Sequence, residues 1–159
     1  MSSYRGHIRG GLLFFGLLWL GIWVASGHGL LGEEFVRAFQ GWRVLPLLAV
    51  SLTMAIWPDV DITSKAQKFF YRVLIGVDIL LLMGKRYQEA AFLGLLAMVP
   101  VVSRHRGWTH TIWAAIIVPS PLLLLPMYLE GKLTWTGLPY YISGTVGYIS
   151  HLILDGKFI

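Results

Sequence analysis

Seven side chains in this sequence carry donor atoms that suit the same chemistry, namely His7, Asp59, Asp61, His105, His110, His151 and Asp155. Imidazole nitrogens and carboxylate oxygens, in a chain without cysteine, are the donor set of a hard-to-borderline divalent cation. Zinc is the first expectation, with manganese or another first-row ion as the alternative. Spacing sharpens the reading pair by pair. His151 and Asp155 are four apart, so on a helix both project from one face and can clamp one ion. Asp59 and Asp61 follow Pro58 in a non-helical segment, where alternate residues can point the same way. His105 and His110 are five apart with Gly107 between them, which implies a turn that leaves His110 at the start of the next helix. Four imidazoles and three carboxylates suffice for two divalent ions. The local charge would then be about +1, suited to a hydroxide and a substrate phosphate.

The elements that must position these residues are membrane helices. The chain is 56% hydrophobic and 13% charged, whereas a soluble domain carries about a quarter charged residues. Disorder, a disulfide scaffold and a coiled coil are excluded on the same figures. Apolar runs occupy the interval between Arg9 and Glu33, then 44–57, 73–84, 90–103, 111–129 and 133–154. This pattern predicts an all-α fold, a polytopic transmembrane helix bundle of about six apolar segments forming a single domain over residues 1–159. The second, third and fourth runs are short for full spans. Polar neighbours must extend them, or the third and fourth form a shallow hairpin. Arg5 and Arg9 ahead of an apolar run, with Ala25-Ser26-Gly27 behind it, imitate a signal peptide. The run continues through Leu30 and Leu31, which favours an uncleaved anchor.

With alternating sides, eight of the 13 Lys and Arg fall with the termini, the 59–72 loop and the 104–110 loop, against five on the other side. That bias predicts an inner-membrane protein with both termini cytoplasmic. The net charge of +5 serves orientation in the membrane, and no specific nucleic acid is expected as a partner; membrane lipids are. All seven candidate ligands fall on the cytoplasmic side, although the count of basic residues does not require it. His28 alone lies on the far side, where an interfacial hydrogen-bonding role suffices. Asp78, inside VLIGVDILLL, must be paired or face a cavity at membrane depth, with Arg72 as one partner and the metal site as another. Gly16, Gly144 and Gly147 are read as positions of close helix packing.

Taken in order, Gly6-His7, Pro58-Asp59-Val60-Asp61, His105-Arg106-Gly107-Trp108-Thr109-His110 and Gly147-Tyr148-Ile149-Ser150-His151 through Asp155 resemble the YdjM-type family of membrane-bound metal-dependent hydrolases. After the second Asp the family often continues with His-Pro, where this chain has Ile62-Thr63. The resemblance implies distant similarity to zinc-dependent phospholipase C and single-strand nucleases, and so a phosphoester or phosphodiester substrate, with lipid-linked esters among the candidates. In that reading His7, Asp59, His105, His110, His151 and Asp155 are ligands. Asp61 bridges the metals or acts as general base, and the Arg106 fork holds the phosphate. The alternative class is a non-enzymatic membrane protein, either a divalent-metal transporter or a metal-stabilised structural module. A transporter would want ionisable residues near the middle of several spans, a description that only Asp78 approaches.

Overall fold

The computed structural model describes residues 4–61, 65–102 and 108–156. With no proline and no charge beyond Arg9, the first apolar run forms one helix, α1 (Tyr4–Gly27). Its 24 residues rise about 36 Å, enough to cross a hydrocarbon core of about 30 Å. It stops at glycines, with Gly29 in the left-handed region. A short helix follows, α2 (Glu33–Ala38), with Glu33 and Glu34 at its positive end and Arg37 in its last turn, which suits the helix dipole. A 3-10 turn over Gly41–Arg43 leads into α3 (Val44–Ile56), which tolerates Pro46 because that residue lies in the first turn. The chain then tightens into a second 3-10 turn, Trp57–Asp61. Next come α4 (Lys65–Met83) and α5 (Tyr87–Val102), joined by a short turn at whose centre Lys85 has a positive φ of 58°. A third 3-10 turn, Trp108–His110, precedes α6 (Ile112–Ile117) and α7 (Ser120–Glu130). Pro119 and Pro121 stand at the break between these two, where missing N–H groups cost least. The last helix is α8 (Leu138–Asp155).

Three of these helices make the core. A Cβ at Gly147 of α8 would collide with the backbone carbonyl of Ser51 in α3, and one at Gly11 of α1 would stand 2.9 Å from the Ala55 Cβ. The missing side chains therefore let three backbones approach closely, the packing route open to helices in lipid. The contacts also set direction: Ser51 meets Gly147 and Ala55 meets His151, so α3 and α8 run parallel, with α1 antiparallel to both. Met54, Trp57, Ala114, Ala115, Tyr148 and Leu152 form one buried cluster toward the lower end of this trio. Phe15, Ile22, Phe39 and Leu47 form another toward the opposite end. Gly144 packs against Leu122 and Pro119, but nothing among the described residues lies within 4 Å of a Cβ at Gly16, so they give it no packing role. α4 and α5 lean on each other, with the Tyr71 hydroxyl donating to the Ala97 carbonyl at 3.1 Å. Trp57 and Phe70 in edge contact hold the start of α4 against the second 3-10 turn.

The described residues are helical throughout their regular elements, with no strand among them. Three segments are long and apolar enough to cross a membrane: Tyr4–Gly27, Gly41–Asp59 and Ile112–Glu130. That is fewer than the six apolar segments expected. α5 has 16 residues, short of the ~20 a span needs. α4 starts with Lys65, Lys68 and Arg72, which shortens its apolar length. α8 places Ser143, Ser150 and His151 in the bundle interior, so its faces are divided between polar and apolar work.

Candidate metal centre

The lower end of the trio gathers the polar residues. His7 lies in the second turn of α1, facing α3 and α8. Asp59 reaches the same point from the 3-10 turn after α3. His151 and Asp155 arrive from the last turns of α8, and His110 from the 3-10 turn before α6. Local chemistry fixes that last turn. The Thr111 hydroxyl accepts from the Ala114 N–H at 3.2 Å as an N-cap and donates to the Trp108 carbonyl at 2.7 Å. The buried Tyr148 hydroxyl of α8 donates to the Thr109 carbonyl at 2.6 Å, pinning the turn to the helix that carries His151.

Two imidazole nitrogens face both oxygens of two carboxylates. His7 Nε2 is 3.8 Å from Asp59 Oδ2 and 3.5 Å from Asp155 Oδ1. His151 Nε2 is 3.7 Å from Asp59 Oδ1 and 3.7 Å from Asp155 Oδ2. A direct charge-assisted hydrogen bond would be about 2.7–2.9 Å. Ligands of one tetrahedral ion, each about 2.1 Å from it, stand about 3.4 Å from each other. The observed separations lie within a few tenths of an ångström of that spacing. Among the described residues, neither ring nitrogen of His7 and not the Nε2 of His151 makes a hydrogen bond, although the two rings are 1% and 0% exposed. Buried nitrogens of this kind cost free energy unless something fills the space between them. The donor chemistry and spacing fit a divalent ion.

The tautomer of His151 follows from its other nitrogen. Its Nδ1–H donates to the Ala55 carbonyl at 2.9 Å, a bond in which only the imidazole can donate. The Nε2 lone pair is thereby turned toward the two carboxylates, the same outer support that metal-binding histidines commonly have. Two overlapping ligand groups result: His7 with Asp59 and His151, and His110 with His151 and Asp155. Both use His151, which has one nitrogen to give. The two groups therefore overlap at His151, with Asp59 and Asp155 in different groups and the His110 ring 5.4 Å from that of His151. Asp59, at 22% side-chain exposure against 1% for Asp155, is the ligand open to the outside.

Of the seven residues singled out in the sequence, five come together here: His7, Asp59, His110, His151 and Asp155. His105 and Arg106 lie outside the described residues, so the second ion and the phosphate-holding fork that they would support are not placed. Asp61 ends the 3-10 turn, and its side chain lies outside what the structure describes. The backbone from Pro58 onward winds at about three residues per turn, in place of the non-helical segment expected to carry Asp59 and Asp61. Among the described residues, Asp78 belongs to neither ligand group and has one buried carboxylate oxygen without a hydrogen bond. His28 lines a pocket with Trp19 and Trp23 at the far end of α1. Sequence reasoning missed the Ala55 carbonyl and the Tyr148 hydroxyl. The second had a signal: Tyr148 precedes His151 by three residues and so shares its face.

No curated protein and no solved structure matches the chain. A family model described as YdjM inner membrane protein matches residues 6–157, from the residue before His7 to beyond Asp155. Three helices able to cross a membrane agree with that description, and the chain is an inner membrane protein belonging to the YdjM family.

Proposed function

We propose that this protein is a membrane-embedded, metal-dependent hydrolase of phosphoesters or phosphodiesters, with lipid-linked esters the favoured substrates. The observation that carries the proposal is the pair of buried imidazoles, His7 and His151, whose Nε2 atoms lie 3.5–3.8 Å from carboxylate oxygens of Asp59 and Asp155 and make no hydrogen bond among the described residues. A divalent ion held there supplies a water of lowered pKa and a Lewis acid for a phosphoryl oxygen. Zinc fits the three imidazoles and two carboxylates best. The chain's own part is to fix the lone pair of His151 through Ala55, to keep the deeper ligands away from bulk water, and to leave the Asp59 edge open to a substrate. Placement at one end of membrane-crossing helices puts that edge at headgroup level, which favours an ester carried by a lipid.

A metal-stabilised structural module is the second reading, favoured by how fully His7, His151 and Asp155 are enclosed, since structural ions are typically closed off. The test is elemental analysis of the purified protein together with hydrolysis of a nitrophenyl phosphodiester and of vesicle phospholipid. Near-stoichiometric zinc or manganese and turnover that falls at least ~100-fold in Asp59→Asn support the hydrolase. Bound metal with no turnover of any ester, and a melting temperature that collapses on chelation, selects the structural module. Absence of metal after zinc and manganese repletion overturns both.

A further inference from the structure

At the end of the trio away from the metal centre, about 20 Å along α3 from its 13 residues, lies an open groove of about 1160 Å³. Two stretches distant in sequence build it. One runs from α2 into the start of α3 and brings Glu34, Arg37, Trp42 and Arg43; the other connects α7 to α8 and brings Lys132 and Trp135. Three cations thus line the groove with Glu34, two of them beside carboxylates just outside it. The Arg37 guanidinium is 3.4 Å from Glu33 and the Lys132 ammonium 3.5 Å from Glu130, both exposed pairs that water screens. Arg43 is exposed and makes no ion pair among the described residues. Trp42 and Trp135 stand exposed on either side. With the metal centre taken as cytoplasmic, this end faces the other side of the membrane, where helix orientation gives no reason to gather cations. Paired tryptophans and clustered cations at the end of a membrane-crossing helix match the headgroup layer, where aromatic rings and a phosphate meet.

We propose that this groove is a binding site for an anionic phospholipid, its phosphate held by Arg43 between Arg37 and Lys132 and its glycerol region laid against Trp42 and Trp135. The proposal does not depend on the hydrolase reading, because the groove shares no residue with the metal ligands. The experiment titrates the full chain, purified in neutral detergent, with phosphatidylglycerol and separately with phosphatidylcholine, and counts bound lipid by native mass spectrometry. Phosphatidylglycerol should bind at least about fivefold more tightly, and Arg43→Gln should remove about fivefold, the effect of one cation near a headgroup. Lys132→Gln should weaken binding in the same direction. Lys85→Gln, a basic residue outside the groove, should change nothing. Equal affinity of the wild type for the two lipids overturns the proposal whatever the variants do, as does an Arg43→Gln protein that keeps the preference. Displacement of phosphatidylglycerol by millimolar inorganic phosphate overturns the assignment to a lipid in favour of a free anion. Far-UV circular dichroism and a thermal melt of each variant report that the helices are still folded.

Discussion

His7 and His151 lie as stacked rings, centroids 3.9 Å apart and 16° from parallel, each with its Nε2 between the same two carboxylates. Residues that share one ion act as a unit, which gives a sharp expectation. His151→Ala and Asp155→Ala should each weaken metal affinity by at least ~10-fold, and the double variant should lose little beyond the worse single. Ile153→Ala, between them but 38% exposed, should leave metal content unchanged. Isothermal titration with zinc measures all four proteins, and full occupancy in both single variants would refute the assignment. The i, i+4 spacing of His151 and Asp155 made this pair legible in sequence. His7 was legible only by side of the membrane, since nothing in Gly6-His7 tells how α1 turns toward α3. The backbone carbonyl of Ala55 carries no sequence signal at all, because any residue at that position offers the same oxygen.

Among the elements, the α3–α8 contact decides whether the ligands meet. Gly147 lets the Ser51 carbonyl lie where a Cβ would be, so Gly147→Ala must push the two helices apart. A cost of about 1–3 kcal/mol is expected from overpacking, together with weakened zinc binding, because Asp59 follows directly on α3 and His151 rides on α8. Gly16→Ala on α1 meets nothing within 4 Å. Replacing a mid-helix glycine there should be neutral or stabilising by up to about 1 kcal/mol. Thermal melts in detergent compare the two, and a Gly147→Ala protein as stable as wild type would contradict the packing. The helical fold and the order of the apolar runs were readable from hydropathy. Which runs are true spans was not. α8 reads as a long apolar run through Leu154, yet Ser143, Ser150 and His151 turn out to line the interior, and a hydropathy profile does not separate an inner face from an outer one. Gly16 and Gly147 look alike in sequence for the same reason.

For the molecule as a whole, the bias of basic residues predicts that the candidate metal centre lies on the cytoplasmic side. A reporter active only in the cytoplasm, fused after Ile159, should be active, and its exported counterpart silent. The reverse pattern would move the centre, and any substrate, to the opposite face of the membrane.

The ligands of the centre come from the second turn of the first helix and the last turn of the final one, with Asp59 and His110 supplied in between. Synthesis from the N-terminus delivers His7 early and Asp155 last. A chain halted after α7 holds His7, Asp59 and His110 but lacks both α8 ligands and the helix that brings α1 and α3 into register. Under the proposed reading, metal capture would be coupled to the end of assembly, acting as a clasp that closes when the last helix docks.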